Sequence, residues 1–282
     1  MLFVLNAPRT VAADSGANDL PVDKGLLDQC KQAVSGSTDA FIGSVVKTFA
    51  RDVCRQQNDS VKAAMVNGTK GKDALEGQTA TNGGADLSDA DGNKKLVDTY
   101  ALLFGLAVKE SSCQFNCGKD QNASNSGKEE EAGAWQVSMN AEDAMSNVKP
   151  NVESLYKQYT GADAEKCFAP AAGDKSESLN FQSQPAPSCS GSIPNPGASA
   201  ENWKQATKCC PAFAAEMAAL VIRNNKAHNG PIVRGEAKPA DGCKPVLQKL
   251  ADSLPNDPQT CSKLSLPNAD SAGGNTGGAK VN

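Results

Sequence analysis

Apolar residues recur at helical spacing in several stretches of the chain. Leu26, Leu27, Cys30 and Val34 fall on one face of a first helix, and Phe41, Val45, Val46, Phe49 and Val53 on one face of a second, capped by Ser37, Thr38 or Asp39. The strongest stripe, Leu96, Tyr100, Leu103, Leu106 and Ala107, predicts a helix from Leu96 to about Ser111. Further helices are expected over Val152–Tyr159, from Pro211 to about Asn225, and over Cys243–Leu254; proline suits a first helical position because its missing N–H has no partner there. The expected fold class is mainly α: a disulfide-braced helical domain with long loops and little or no sheet.

Polar stretches separate these segments. Asn67 to Lys95 and Gly118 to Glu131 are rich in Gly, Asp, Asn, Ser and Lys, and residues 169–199 are rich in Pro, Ser, Gly and Ala, so all three read as loops. The last is expected to be a surface loop tied by Cys167 and Cys189. Met1 to Ala13 has a short apolar stretch before Val11-Ala12-Ala13, as in the tail of a secretory signal, although its single Arg follows the apolar part. The expected organisation is a leader or disordered N-terminus over 1–23, a helical region and polar loop over 24–95, a second, main domain over 96–262 and a disordered Gly- and Asn-rich tail over 263–282.

Ten cysteines beside one histidine change this picture most. A zinc protein would show CxxC pairs or several histidines, and a cytosolic enzyme rarely keeps so many thiols, so an oxidising compartment is expected, either secreted or periplasmic. Up to five disulfides are possible. Adjacent Cys209 and Cys210 are expected to bond to distant partners, and Cys113 and Cys117 to form or join disulfides.

The formal net charge of −4 lacks the basic footprint of a nucleic-acid binder. The apolar runs Tyr100–Val108 and Phe213–Ile222 fall short of the ~20 residues a membrane span needs. Asp89-Ala90-Asp91-Gly92-Asn93 fails the EF-hand pattern, because a glycine in the sixth position would make Leu87 the first ligand. No cofactor or metal is expected, and the protein is expected to be a monomer.

The candidate chemistry lies at the end of the strongest helix. Glu110 stands three residues past Ala107, four past Leu106 and seven past Leu103, so it emerges from the buried stripe. A desolvated carboxyl stays protonated nearer neutral pH and can then protonate a glycosidic oxygen. A helix-end Glu bonded to a backbone amide or a basic side chain fits the same spacing.

Glu110-Ser111-Ser112, a polar loop, and then Glu131-Ala132-Gly133-Ala134-Trp135-Gln136-Val137-Ser138 together resemble the Glu-Ser and Gly-x-x-Gln signature of the lysozyme-like superfamily of soluble lytic transglycosylases and goose-type lysozymes. The resemblance covers roughly residues 96–254 in order. It implies a lysozyme-like fold, peptidoglycan or a related polysaccharide as partner, and cleavage of β-1,4 glycosidic bonds with Glu110 as the acid. It further implies a cleft lined by Gly133 and Gln136, with Trp135 at a hydrophobic position of the same motif. Glycine permits close sugar approach, an amide can hold hydroxyl or N-acetyl groups, and an aromatic face can pack on a pyranose.

Two departures bear on the mechanism. Ser138 stands where goose-type lysozymes carry an acidic residue, which leaves transglycosylation open and makes Glu131, the nearest acid before the turn, the candidate second carboxylate ahead of Asp120, Glu129 and Glu130. Ala227-His228-Asn229-Gly230 resembles a shortened Ala-Tyr-Asn-Ala-Gly motif with His228 in place of Tyr, although a surface histidine near a helix end reads equally well. The alternative functions are a chitin or chitosan hydrolase and a non-catalytic, disulfide-rich cell-wall-binding protein.

Overall fold

The computed structural model describes residues 20–78, 92–118, 124–169, 189 and 191–266. The expected leader up to residue 19, Asp89–Asp91, Asp120, most of the 169–199 loop and the tail from residue 267 lie outside the described residues.

The fold is helical, as the periodicity predicts. Helices α1 (Lys24–Ala33) and α2 (Asp39–Cys54) begin where short polar side chains satisfy free N–H groups: Asp23 accepts from Gly25 N at 2.6 Å, and Thr38 from Phe41 N at 3.1 Å. Then come α3 (Ser60–Asn67), the single turn α4 (Leu75–Gln78), α5 (Gly92–Ser111), the two-residue strands β1 (Glu131–Ala132) and β2 (Val137–Ser138), and α6 (Lys149–Tyr159). The chain continues through α7 (Ala200–Cys209), α8 (Pro211–Asn224), α9 (Gly230–Val233), α10 (Lys244–Ser253) and α11 (Pro258–Lys263). Sequence periodicity misses α3, α4, α7, α9 and α11.

Every residue of α8 is buried, and α2, α3, α5, α6 and α7 pack around it. A helix that is apolar on all sides belongs at the centre of a fold. The helices of residues 24–95 and those of 96–262 therefore share one core. An expected boundary at residue 96 falls inside α5.

The centre also holds charge. Glu216 of α8 is fully buried and accepts from Arg51 Nη2 at 3.0 Å, from Tyr159 Oη at 2.8 Å and from Arg55 Nη2. Arg55 also donates to Asp52 at 2.8 Å and to Gln158 at 3.1 Å, while Tyr100 donates to Asp52. Two guanidinium groups thus face two buried carboxylates, with Asp59 reaching Arg55 Nη1 at 3.3 Å from the edge, and phenols, an amide and the Lys166 carbonyl take further N–H groups, although Arg51 Nε has no partner among the described residues. Such pairing is what makes buried charge tolerable.

Four disulfides bind the chain: Cys30–Cys243, Cys54–Cys261, Cys167–Cys210 and Cys189–Cys209. Cys209 and Cys210 reach distant partners, as expected. The two residues that bracket the Pro- and Ser-rich loop, Cys167 and Cys189, are anchored on adjacent positions at the junction of α7 and α8. Cys113 and Cys117 correct the expectation that they pair, for both are free thiols and buried.

Candidate active site

Helix α5 delivers Glu110 and then stops. Ser112 and Cys113 adopt positive φ values of 54° and 66°, and Cys113 N donates back to Ala107 O at 3.1 Å. This reversal leaves Glu110 half-buried on the last turn. Among the described residues its carboxyl has no hydrogen-bond partner. Burial first, and then the neighbouring Glu131, push its pKa up to about 7; Arg234 opposes the shift and Glu236 adds to it.

Glu131 comes from the β1–β2 hairpin, where it stands opposite Ser138, with Ala132 opposite Val137. The four-residue turn between them needs positive φ at Gly133 (78°) and Gln136 (46°). Three ties hold it to the end of α5. Ser111 Oγ donates to Ala134 O at 2.8 Å, Gly133 N to Cys117 O at 2.9 Å, and Trp135 Nε1 to Leu103 O at 2.8 Å. A side chain at Gly133 is excluded on the other side as well, since its Cβ would lie 2.6 Å from Thr207 Cγ2.

This arrangement corrects three expected sugar contacts. Trp135 is 1% exposed, packed among Phe41 and Phe115, so its ring faces are spent on the core. Gln136 is buried too, its side-chain amide folded back onto Gly133 O at 2.8 Å. Gly133 serves the turn and its close packing on α7. The Gly-x-x-Gln segment is a buttress that sets the position of Glu131.

Ser138 is buried, and its backbone N–H points at Nε2 of His228 at 3.4 Å. His228 ends the 3-10 turn Lys226–His228 that follows α8. An imidazole nitrogen that accepts an N–H carries no proton, and burial favours the same neutral form by lowering the His228 pKa. The two residues singled out from separate motifs are therefore in contact.

Comparison of the chain with protein-family models, with curated proteins and with solved structures finds no match.

The site thus rests on its own geometry, which unites Glu110, Glu131, Ser138 and His228. It also brings in residues that sequence reasoning missed. Arg234, just past α9, makes a paired contact with Glu236, Nε to Oε1 at 2.7 Å and Nη2 to Oε2 at 3.0 Å, and its charge acts on Glu110. Gly230 makes room for it, because a Cβ there would lie 2.6 Å from Arg234 Nη1. Cys117 lies within electrostatic reach of both Glu110 and Lys208, and burial pushes its thiol up to about 11, so it is no nucleophile at neutral pH. Among the described residues no group of His, Cys, Asp or Glu side chains is arranged to hold a metal ion, and no helix is long and apolar enough to cross a membrane.

Proposed function

We propose that the protein is a lysozyme-type enzyme that cleaves the β-1,4 glycosidic bonds of peptidoglycan, with Glu110 as its proton donor. The observation that carries this reading is a half-buried carboxyl with a pKa of about 7 beside a second carboxylate, on two elements that are hydrogen-bonded to each other. A carboxyl kept protonated near neutral pH can divide the work of glycoside cleavage with a second acid beside it.

In this mechanism protonated Glu110 gives its proton to the glycosidic oxygen as the bond to the anomeric carbon breaks. The positive charge left on the sugar ring is stabilised by the Glu131 carboxylate. The Glu110 carboxylate then takes a proton, either from an attacking water, giving a reducing end, or from a hydroxyl of the same sugar, giving an anhydro product. With Ser138 in place of a third acid, the second route needs no residue beyond Glu110 and Glu131. The disulfides agree with work in a secreted or periplasmic setting.

The test is mass spectrometry of the soluble products formed from peptidoglycan sacculi by oxidised wild-type protein and by Glu110→Gln. Anhydro-muropeptides absent with the variant support the transglycosylase form, and reducing-end muropeptides absent with the variant support the lysozyme form. Equal release by both proteins removes Glu110 from the mechanism. No release by either, with cleavage of chitin oligomers instead, moves the substrate to the neutral glycans.

A further inference from the structure

Lys208 is a charged group near the site with no assigned task. It lies on α7, the helix that braces the hairpin: Lys204 pairs with Glu130 at 2.5 Å and with Glu201 at 2.7 Å, and Thr207 packs on Gly133. One turn beyond Lys204, Lys208 faces Cys117, the residue whose carbonyl receives the Gly133 N–H and whose thiol feels Glu110. Lys208 therefore borders the same corner of the molecule as the candidate acid.

Its environment is unusual for a lysine. The residue is 9% exposed and, among the described residues, its side chain makes no hydrogen bond or ion pair, while its ammonium keeps some contact with solvent. The alkyl stem is covered and only the charged tip reaches the surface. Glu130 and Glu201 favour its charge only from a distance, since both are bonded to Lys204. Burial and the Lys204 charge both weigh against its charged form, so it gains more from an incoming anion than a fully solvated lysine would.

We propose that Lys208 is the specificity residue of the Glu110 site and binds a carboxylate carried by the glycan, so that the site selects acidic glycans over neutral ones. The inference rests on the functional reading above for the identity of the site, and it deepens that reading by fixing the substrate class. Peptidoglycan carries carboxylates on its peptide stems, and on the lactyl group wherever a stem is missing, whereas chitin carries none. An ammonium held in a poorly solvated position gives a charge-assisted hydrogen bond to such a group and nothing comparable to a neutral sugar.

The experiment separates binding from turnover. Full-length, oxidised Glu110→Gln protein is titrated calorimetrically with soluble peptidoglycan fragments that retain their carboxylates and with chitin oligomers of equal length. The expected result is binding of the acidic fragments about 10-fold tighter or more, a preference lost when Lys208→Gln is added and kept when Lys208→Arg is added. Equal affinity for the two glycans, or a preference unchanged by Lys208→Gln, overturns the proposal. Thermal melts of the variants identify any that fail to fold, and Lys208→Met is then the substitute, since it keeps the buried stem. A Lys208-dependent preference without product release by the wild type sustains the proposal and defeats catalysis. Product release with a preference indifferent to Lys208 does the reverse.

Discussion

The hydroxyl of Ser111 donates to the carbonyl of Ala134 at 2.8 Å, joining the helix turn that carries Glu110 to the hairpin turn that positions Glu131. The same oxygen accepts from Gln114 N at 3.0 Å, so one buried hydroxyl serves both elements. Ser111→Ala leaves a buried carbonyl and a buried N–H without this partner. It is expected to cost about 1–3 kcal/mol in a denaturant titration. Cleavage rate is expected to fall by about tenfold, because two carboxyls lose their common support. A rate equal to wild type at unchanged stability would show that this bond positions nothing.

Glu110 links stability to pH with a definite sign. Its folded pKa of about 7 lies above the ordinary value of 4.5, so the folded protein holds a proton that the unfolded chain gives up. The group is neutral to stability below about pH 4.5 and increasingly unfavourable as pH rises through 7. Glu110→Gln is therefore expected to leave the melting temperature unchanged at pH 4 and to raise it at pH 8. After discounting for partial solvent screening, the gain is about 2 kcal/mol. Activity of the wild type should fall about tenfold per pH unit on the alkaline side of the same value, as a proton donor is lost. A melting-temperature difference between variant and wild type that does not change with pH would contradict the burial of this carboxyl.

Gly133 is fixed by two independent constraints, a φ of 78° and the approach of Thr207. Gly133→Ala should destabilise by about 2 kcal/mol or more. Adding Thr207→Ser removes the methyl that lies 2.6 Å from the new Cβ but leaves the backbone strain and the Thr207 carbonyl at 3.1 Å. The double variant should recover only part of the loss in thermal unfolding. Complete recovery would mean that backbone conformation contributes nothing there.

Glu216→Gln tests the charged centre. The variant leaves buried Arg51 and Arg55 facing buried Asp52 and the partly exposed Asp59, at an expected cost of about 3–5 kcal/mol. Chemical denaturation measures it. A cost below 1 kcal/mol would show that water or rearrangement compensates the charge.

The free thiols can be counted. Unfolding in denaturant without reductant should expose two alkylatable cysteines, Cys113 and Cys117, and reduction should raise the number to the full ten. No reactive thiol before reduction would reveal a fifth disulfide beside Glu110.

Much of the helical frame was legible because long apolar stripes announce themselves. The continuous apolar run after Pro211 predicts α8, and the register of Glu110 against Leu103, Leu106 and Ala107 predicts its partial burial. Helix α7 is not legible, because Trp203 is the one large apolar residue on a buried stripe otherwise made of Ala206, Thr207 and other small or polar residues. Helix α3 has Val61, Ala64 and Met65 at helical spacing but is too short to stand out. Trp135 was misjudged because sequence cannot distinguish an aromatic that faces a cleft from one that faces the core. The charged centre was hidden for another reason: Arg51 and Glu216 are 165 residues apart, and only tertiary folding reveals that they neutralise each other. Arg234 and Lys208 escaped notice in the same way, since their meaning lies in what the fold sets beside them.

The bonds Cys30–Cys243 and Cys54–Cys261 span 213 and 207 residues and join helices near one end of the described chain to helices near the other. The backbone between Cys54 and Cys243 is thus part of a covalent ring. A protease that severs any one peptide bond inside it produces no free fragment, because both halves stay tethered by two sulfur bridges. Nicked molecules would run as a single species until reduced, and the halves would remain beside each other to dock again. A protein built this way tolerates a proteolytic environment through its connectivity as well as through the stability of its fold.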